Sequence, residues 1–443
     1  MDQGRLTQLY TAHVRQLEAA YAEALREHGY DAVVIHSGLP KPRTEFDDQF
    51  WPLRVTPHFQ HWLPLAESDC ALVITPGKRP KLIWHRPPDF WETPAELEGS
   101  HWQSSFDIAE VASPDAAREL LPQGRTVFVG EDRARAAGWG FAPEHVTPKA
   151  VVEQLDQLRA RKTDYEVLCL AEANRRGAVG HAALAKAFRS GDPTEFEMHI
   201  EFLRATQQDA TETPYKNIVA LGENAATLHH VNYRKTRERG AGSESLLVDA
   251  GATYFGYCSD ITRTYVKGNA AAASAFASLV ASVEKFQQQL CAAVAVGDKY
   301  EALHDRAHFE VARALRSAGV TNVSDEEAVS AGITRTFFPH GLGHSLGLQC
   351  HDVGCALIKP RPDNPFLRNT STITEGQCFT IEPGIYFIGS LLEKLEHGEH
   401  AANVDWKLVK KLATYGGVRI EDDLVVTGGA SAMRNLTREF LPA

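Results

Sequence analysis

The sequence predicts a two-domain protein, in which a small α/β domain over residues 1–160 precedes a larger α+β domain over residues 161–443. The first part combines one helical pattern with several short apolar runs, the middle part is helical, and the last part returns to strand-like runs. At 443 residues, 43% of them hydrophobic, the chain is long enough to fill the cores of about two or three domains.

The elements follow in order along the chain. Residues 4–28 have helical periodicity, and four apolar runs bounded by Gly or Pro then predict strands: DAVVIHSG, CALVITPG, PKLIWHRP and TVFVGED. Residues 150–206 are helical and include the helix-start signal GDPT. Strands return over residues 215–267, a further helical stretch reaches residue 318, and mostly short strands broken by Gly and Pro are predicted after it.

Composition excludes several classes of function. The formal net charge of −11 argues against a nucleic-acid partner, which would require a basic face. The N-terminal segment lacks the apolar core of a signal peptide, and no later run is long enough to span a bilayer. The seven cysteines form no CxxC pair, and their odd number does not suggest a disulfide framework. We therefore expect a cytoplasmic protein without a membrane partner.

One short segment concentrates histidines and glycines. PHGLGHSLGLQCHDVG, residues 339–354, contains His340, His344 and His351 among four glycines. Neutral imidazole is the commonest metal ligand and the usual proton carrier near neutral pH, and glycine lets the backbone turn sharply or pass close to a bound group. The segment is therefore typical of a functional site whose other members lie elsewhere in the chain.

Two aspartates are placed together by a predicted hairpin. In LLVDAGATYFGYCSDITRTYVKG, a two-residue turn at Phe255–Gly256 sets Asp249 opposite Thr262. Asp260 then lies diagonally across on the same face, roughly 7–8 Å from Asp249 between backbones. Carboxylates at this separation repel one another unless a cation lies between them, although two polar residues on a solvated face would give the same pattern.

Two glutamates occur in similar surroundings. Glu382 interrupts the apolar run CFTIEPGIYF, and Arg419 and Glu421 lie two residues apart on another run, hence on one face. A buried charge is costly unless it is paired. Asp249, Asp260, Glu382 and Glu421, together with an imidazole, suit two divalent ions, whose four positive charges balance the carboxylates. Such ions lower the pKa of a bridging water and give a hydroxide nucleophile.

The ordered motifs D-x10-D, HGLGHxLGLxxHD, TIEPGIY and GVRIEDD resemble those of the pita-bread metallopeptidases, which include methionine aminopeptidase, aminopeptidase P and prolidase. The resemblance covers the whole chain and is strongest to the bacterial Xaa-Pro dipeptidases, relatives of organophosphorus acid anhydrolase. It implies a creatinase/aminopeptidase-like catalytic domain over residues 161–443. It also implies that the domain over residues 1–160 provides dimer contacts and substrate access.

The resemblance further implies a role for each matching residue. Asp249 would hold one metal, Asp260 and Glu421 would bridge both, and His344 and Glu382 would hold the other. Glu382 would also act as general base and proton shuttle, and His351 would stabilise the tetrahedral intermediate, with His340 also facing the substrate. The remaining residues implied at the substrate are His229, Arg368, Arg419, Tyr215 and, from the loop TEFDDQFWP, Asp48. Arg368 and Arg419 are candidates for gripping a free substrate carboxylate.

Two other motifs in the chain, and three other classes of protein, fit parts of the sequence. HDRAH, residues 304–308, resembles a zinc-peptidase HExxH motif but carries Asp in place of the base Glu, and it fits an amphipathic helix. GLGHSLG has the glycines of a dinucleotide loop without a strand before it or a helix after it. A non-catalytic pita-bread binding protein would have lost the metal carboxylates. Methionine aminopeptidase would not need the first domain, which leaves aminopeptidase P, acting on longer peptides, as the main enzymatic alternative.

The sequence therefore predicts a homodimeric hydrolase of Xaa-Pro dipeptides with two divalent metal ions per subunit. Mn²⁺ is the expected metal, with Co²⁺ or Zn²⁺ as alternatives. Side activity on organophosphate esters is a further expectation from the resemblance, because a metal-bound hydroxide can also attack phosphorus.

Overall fold

A computed structural model describes residues 3–88, 90–91, 93, 96–237, 243–428 and 433–442. The chain forms two compact units, Met1–Glu166 and Val167–Ala443. Within the described ranges, no helix is both long and apolar enough to cross a membrane.

The first unit contains a five-stranded mixed sheet. Its elements in chain order are α1 (Gln3–Glu27), β1 (Ala32–His36), α2 (Pro57–Trp62), β2 (Ala71–Ile74), β3 (Lys81–His85), β4 (Asp107–Val111), α3 (Pro114–Glu119), β5 (Thr126–Val129), α4 (Arg133–Gly138) and α5 (Lys149–Ala160). The strand order is β4-β3-β2-β1-β5, with β1 antiparallel to β2 and parallel to β5. The four predicted strands are confirmed as β1, β2, β3 and β5. Strand β4 was missed because DIAEV carries two acidic residues and buries only one of its five residues, so it lacks the apolar signal.

The second unit contains helices and several small sheets. Its elements are α6 (Asp164–Ser190, which begins at the end of the first unit), α7 (Glu195–Thr206), β6 (Ile218–Leu221), β7 (Ser245–Asp249), β8 (Thr253–Tyr254), β9 (Tyr257–Cys258), β10 (Thr262–Val266), α8 (Ala271–Ala292), α9 (Tyr300–Ser317), α10 (Asp325–Ser330), α11 (Ile333–Phe337), β11 (Cys378–Ile381), β12 (Gly384–Tyr386), α12 (Gly389–Glu396), α13 (Trp406–Leu412), β13 (Gly417–Arg419), β14 (Asp422–Val426) and β15 (Met433–Asn435). The sheets have the orders β10-β7-β6, β11-β14-β15, β12-β13 and β8-β9. The GDPT signal is confirmed: Thr194 caps α7 in a capping box with Glu197.

The predicted hairpin has the expected register. Thr262 lies opposite Asp249 in the antiparallel pair β7 and β10, and β8 and β9 continue the ladder toward the turn. Phe255 and Gly256 occupy that turn with φ of 49° and 86°, the left-handed conformations that a two-residue primed turn requires.

The region after residue 318 differs from the prediction, because it contains the helices α10 to α13. Short helices of five to eight residues carry too little periodicity to be recognised, and their ends are stabilised locally. Ser324 caps α10 and Asp405 caps α13, each by accepting a backbone N–H of the first turn.

The largest core of the second unit covers the strands that lead into the acidic residues. Phe276 and Val283 of α8 belong to the same buried cluster as Phe379 of β11 and Leu424 of β14. The two strands pair antiparallel, with Phe379 opposite Leu424. This packing fixes the strand ends beside which Glu382 and Glu421 lie.

Candidate metal centre

One aspartate ends strand β7, and the other lies just before β10, the antiparallel partner of β7. Asp249 is the last residue of β7, and Asp260 precedes β10 by two residues. Both side chains are buried. The backbone N–H of Asp260 donates to Asp423 Oδ2 at 3.0 Å, which fixes the main chain at this position.

The glutamates lie at two strand junctions of the neighbouring sheets. Glu382 lies between β11 and β12, and Glu421 lies between β13 and β14. Thr262 of β10 connects Glu421 to the hairpin: the Glu421 N–H donates to the Thr262 carbonyl at 3.0 Å, and Thr262 Oγ1 donates to Glu421 Oε2 at 2.6 Å. One threonine thus sets the distance between carboxylates that come from different sheets.

His344 presents one ring nitrogen to this acidic group. Its backbone pairs with Thr380 of β11, and its Nδ1–H donates to the Ser345 carbonyl at 3.0 Å, which leaves Nε2 directed at the acidic group. Nε2 lies 3.3 Å from Asp260 Oδ2, 3.6 Å from Glu382 Oε1 and 3.9 Å from Glu421 Oε1. The imidazole therefore faces three carboxylates.

Gly343 explains how the histidine loop reaches this position. A Cβ at Gly343 would lie 2.2 Å from the Thr380 carbonyl oxygen, so only glycine fits against β11 at this point. At Gly343 the close neighbour is a strand backbone, and the expectation that the glycines let the chain pass close to a bound group stays a prediction.

The electrostatics of the cluster favour a cation. Burial, followed by repulsion between the carboxylates, raises the pKa of Glu421 well above its usual range and that of Glu382 to about 7. Burial alone would raise the pKa of Asp260 as well, but the hydrogen bond and charge of His344 lower it. Asp249 Oδ1 and Glu421 Oε1 are buried and make no hydrogen bond with the described residues. Such oxygens need a ligand, and divalent metal ions fit the donor set.

Arg419 partly neutralises the cluster. Its guanidinium donates to Asp249 Oδ2 at 2.5 Å, to Tyr386 Oη at 2.9 Å and to Thr262 Oγ1 at 3.2 Å. The side chain is buried, although it borders the cavity described below. We expected Arg419 to grip a substrate carboxylate. Each of its three guanidinium nitrogens already bonds a protein group, which makes Arg419 a partner of Asp249, and the role at the substrate stays a prediction.

His340 is held in one neutral form. Its Nδ1–H donates to the Gly341 carbonyl at 2.8 Å, so its Nε2 accepts the Tyr386 hydroxyl at 2.9 Å. Burial lowers the pKa of His340 to about 3, and the charge of Arg419 acts in the same direction. His340 borders the cavity as expected, but both of its nitrogens are engaged, and it is linked to Asp249 through Tyr386 and Arg419.

His351 and Arg368 form a pair at the mouth of the site. Arg368 Nη1 donates to His351 Nδ1 at 2.9 Å, which places the imidazole hydrogen on Nε2. Burial, with the charges of His344 and Arg368, lowers the pKa of His351 to about 4. The ring packs edge-on against His344 with centroids 4.3 Å apart. His351 is therefore a neutral N–H donor beside the acidic cluster.

One cavity of about 1140 Å³ in the second unit contains these groups. It is bordered by all five predicted metal ligands and by His340, His351, His229, Arg368, Arg419 and Tyr215. Its apolar wall includes Phe366, Ile388 and Leu391. The geometry brings together every predicted site residue of the second unit.

Comparison with known proteins identifies the family of this chain. Residues 169–428 match the model of metallopeptidase family M24, and residues 8–157 match that of the N-terminal domain of Xaa-Pro dipeptidase. The chain belongs to metallopeptidase family M24. The Xaa-Pro dipeptidase of Xanthomonas campestris pv. campestris (strain B100) is 41% identical, with 100% of both chains covered. That of Shewanella woodyi is 40% identical, with 99% of each covered. The structure of proline aminopeptidase P II from Yersinia pestis has a TM-score of 0.72 at 22% identity, covering 99% of this chain and 97% of that one.

These matches confirm the predicted resemblance and the α+β pita-bread fold of this M24 protein. They also exclude the two motif alternatives as descriptions of the fold. His304 and His308 lie on α9 with both rings buried, and His308 Nδ1 bonds Thr334 Oγ1 at 3.1 Å. Burial lowers their pKa values to about 4 and 3, so both are neutral core residues.

Asp48 belongs to the first unit of the M24 chain. It is exposed, and its Oδ1 accepts a hydrogen bond from Gln49 Nε2 at 3.2 Å. A role near the substrate amino group therefore stays a prediction.

Sequence reasoning missed three contributors to the site. Tyr386 belongs to the motif that contains Glu382, and Thr262 was identified only as the residue opposite Asp249. Cys350 precedes His351 directly, and its Sγ donates to Asp260 Oδ2 at 3.0 Å. The position of Cys350 beside a histidine of the motif was the only available signal. Tyr215 was predicted to line the pocket, and its hydroxyl also donates to Asp260 Oδ1 at 2.5 Å.

Proposed function

We propose that this M24 protein hydrolyses Xaa-Pro dipeptides at a dinuclear metal centre. The observation that carries the proposal is the convergence of four carboxylates and His344 on one cavity that also contains the His351–Arg368 pair. Relatives named Xaa-Pro dipeptidase, about 40% identical over the full length, support the substrate class.

Five residues would hold the metals. Asp249 would bind one ion, His344 and Glu382 the other, and Asp260 and Glu421 would bridge them. The carboxylate-rich set suits Mn²⁺, with Co²⁺ and Zn²⁺ as alternatives. Two divalent ions, when bound, supply Lewis-acid activation of the attacking water and of the scissile carbonyl.

The remaining chemistry falls to side chains of this chain. Glu382 borders the cavity beside His344 and would take the proton of the attacking water and pass it to the proline nitrogen as the C–N bond breaks. His351, with its hydrogen on Nε2, would donate to the carbonyl oxygen as negative charge develops there. The apolar wall formed by Phe366, Ile388 and Leu391 suits the proline ring.

Arg368 would make the enzyme a dipeptidase. Its exposed guanidinium contacts His351 through Nη1, and its other two nitrogens make no hydrogen bond within the described part of the chain. They can bind the free carboxylate of a dipeptide, which a longer peptide does not present at that position. The alternative function is that of aminopeptidase P, whose solved structure from Yersinia pestis shares the fold.

The test is hydrolysis of Ala-Pro against Ala-Pro-Ala by protein stripped with a chelator and reloaded with Mn²⁺. We expect metal-dependent cleavage of the dipeptide alone. Arg368→Ala should raise KM for Ala-Pro about ten- to hundredfold, because a charge-assisted hydrogen bond is lost. The matched control is Arg361→Ala, which removes an exposed arginine paired with Asp305 and Glu301. Comparable cleavage of the tripeptide would assign the chain to aminopeptidase P, and no cleavage of either would favour the binding-protein alternative.

We also propose three properties that follow from the resemblance. The protein forms a homodimer in which the first unit provides contacts and substrate access, to be tested by light scattering and by Asp48→Ala kinetics. It acts in the cytoplasm, in line with its seven free thiols, which cell fractionation can test. It hydrolyses organophosphate triesters slowly, which a chromogenic ester assayed with the metal-loaded protein and with Glu382→Gln can test.

A further inference from the structure

Cys350 differs from the other cysteines of the chain. The other six are buried, whereas Cys350 is partly exposed and borders the cavity. It lies between His344 and His351 in sequence, and its Sγ is 3.0 Å from Asp260 Oδ2. The thiol thus adjoins the carboxylate oxygen that His344 also faces.

The separations are those of neighbouring ligands on one metal ion. His344 Nε2 and Cys350 Sγ lie 3.3 Å and 3.0 Å from the same Asp260 oxygen. Ligands at metal distances of about 2.0–2.3 Å are roughly 3.0–3.5 Å apart when they occupy adjacent positions around one ion. Ligand atoms of His344, Cys350 and His351 all lie within 4.8 Å of one another.

A second observation indicates room for a ligand here. Glu421 Oε1 is buried without a hydrogen bond among the described residues and lies 3.9 Å from His344 Nε2. An ion placed between this oxygen, the imidazole and Asp260 would also be adjacent to the sulfur.

We infer that Cys350 Sγ is a further ligand of the metal ion that His344 holds, so that this position has a mixed nitrogen, oxygen and sulfur donor set. The inference rests on the proposed metal centre. On binding, the S–H bond breaks, the sulfur–metal bond forms and the proton leaves to solvent, so no oxidant or reductant is needed.

The consequence is a difference between the two metal positions. The position of Asp249 has carboxylate ligands only, which suit Mn²⁺, whereas thiolate at the other position favours the thiophilic ions Zn²⁺ and Co²⁺. The protein would therefore prefer a softer ion beside His344 than its carboxylates alone indicate.

Cobalt spectroscopy of the full chain tests the ligand directly. We expect the Co²⁺-loaded protein to show a thiolate-to-cobalt charge-transfer band in the near ultraviolet, which Cys350→Ser abolishes. Cys355→Ala, which removes a buried thiol five residues later, should keep the band. Absence of the band from the unaltered protein, or its persistence in Cys350→Ser, would overturn the inference.

A parallel measurement needs no variant. Iodoacetamide should label Cys350 in metal-free protein and label it much less after Zn²⁺ is added, as read by peptide mass spectrometry. Equal labelling with and without Zn²⁺ would contradict ligation.

Competitive titration should also show that Cys350→Ser lowers Zn²⁺ affinity by at least about tenfold, with a smaller change for Mn²⁺.

Ala-Pro hydrolysis by the same samples separates the two proposals. A charge-transfer band without hydrolysis would keep the ligand and reject the dipeptidase. Hydrolysis without the band would keep the dipeptidase and reject the ligand.

Discussion

Glu421 and Asp422 are adjacent, both are buried, and their surroundings are opposite in kind. Asp422 accepts hydrogen bonds from Arg263 at 2.8 Å and from Arg438 at 2.7 Å, and despite its burial these charges lower its pKa. Glu421 faces other carboxylates, and burial and repulsion raise its pKa well above the usual range. Glu421 directly precedes β14 and Asp422 begins it, and because successive residues of extended backbone point to opposite faces, the backbone here separates the two environments.

The comparison shows what distinguishes a structural acid from a metal ligand. On the Asp422 side, two guanidinium groups neutralise one carboxylate. On the other side, Arg419 and His344 face four carboxylates, and two carboxylate oxygens there have no hydrogen bond from the described residues. An acidic group that the protein leaves incompletely neutralised is suited to bind a cation.

The largest loss of activity should come from a change on the acidic side, the face on which Glu421 lies with Asp249, Asp260 and Glu382. Glu382→Gln keeps the shape of the side chain but removes the proposed base and one metal-binding oxygen. We expect kcat for Ala-Pro to fall about 10³-fold while the circular dichroism spectrum is unchanged. Glu393→Gln, an exposed change on α12, is the control. An active Glu382→Gln enzyme would remove Glu382 from the mechanism.

At Asp422, on the opposite face, we expect a loss of stability. Asp422→Asn leaves the buried Arg263 without its charge partner and removes one of the two carboxylate partners of Arg438, which keeps Glu284, and it should lower the free energy of unfolding by about 3–5 kcal/mol. Burial and neighbouring carboxylates raise the pKa of Glu421, which disfavours its charge in the metal-free protein, so Glu421→Gln should change the metal-free stability less than Asp422→Asn does. Urea denaturation of both variants measures the contrast. Equal destabilisation would show that the two acids are not functionally distinct.

The acidic side should also give the metal-free protein a pH-dependent stability. Burial and the charges of Asp260 and Asp249 raise the pKa of Glu382 from 4.5 to about 7, against the opposing effects of His344 and Arg419. Between these values the folded state binds more protons than the unfolded state, so the free energy of unfolding falls as pH rises through this window. Denaturation of chelator-treated protein just below and just above this pH window measures the fall in the free energy of unfolding. Glu382→Gln should flatten this part of the profile, and an unchanged slope would contradict the assignment.

The smallest effect is expected at the edge of the acidic side. Tyr386→Phe removes the hydroxyl that links His340 to Arg419, and Asp249 keeps its direct bond to Arg419. The loss of these hydrogen bonds should cost about 1 kcal/mol, equivalent to roughly a fivefold decrease in kcat/KM. Steady-state kinetics on Ala-Pro would measure the change, and a loss as large as that of Glu382→Gln would indicate that Tyr386 takes part in the reaction itself.

Local patterns were enough to predict the hairpin register, the four carboxylates and the histidine segment, whereas His229, Arg368 and Tyr215 came from the resemblance to the pita-bread family. Asp249 and Asp260 are related by strand alternation, which is a property of neighbouring residues, and the histidine segment is distinctive by itself. The partners of Arg419 could not be predicted, because its contacts with Asp249 and Tyr386 join distant segments. The short helices after residue 318 and the weakly apolar strand β4 were missed for lack of periodicity. The proximity of Cys350 to Asp260 likewise depends on how a loop folds back.

Thr262 has a consequence for the order in which activity can arise during synthesis. Its hydroxyl joins the hairpin to Glu421 across 159 positions of sequence. A nascent chain that already contains Asp249, Asp260 and His344 still lacks the strand that brings the last carboxylate. The centre can therefore be completed only after almost the whole second unit has been made. The growing polypeptide would pass through most of its synthesis without a competent peptidase site.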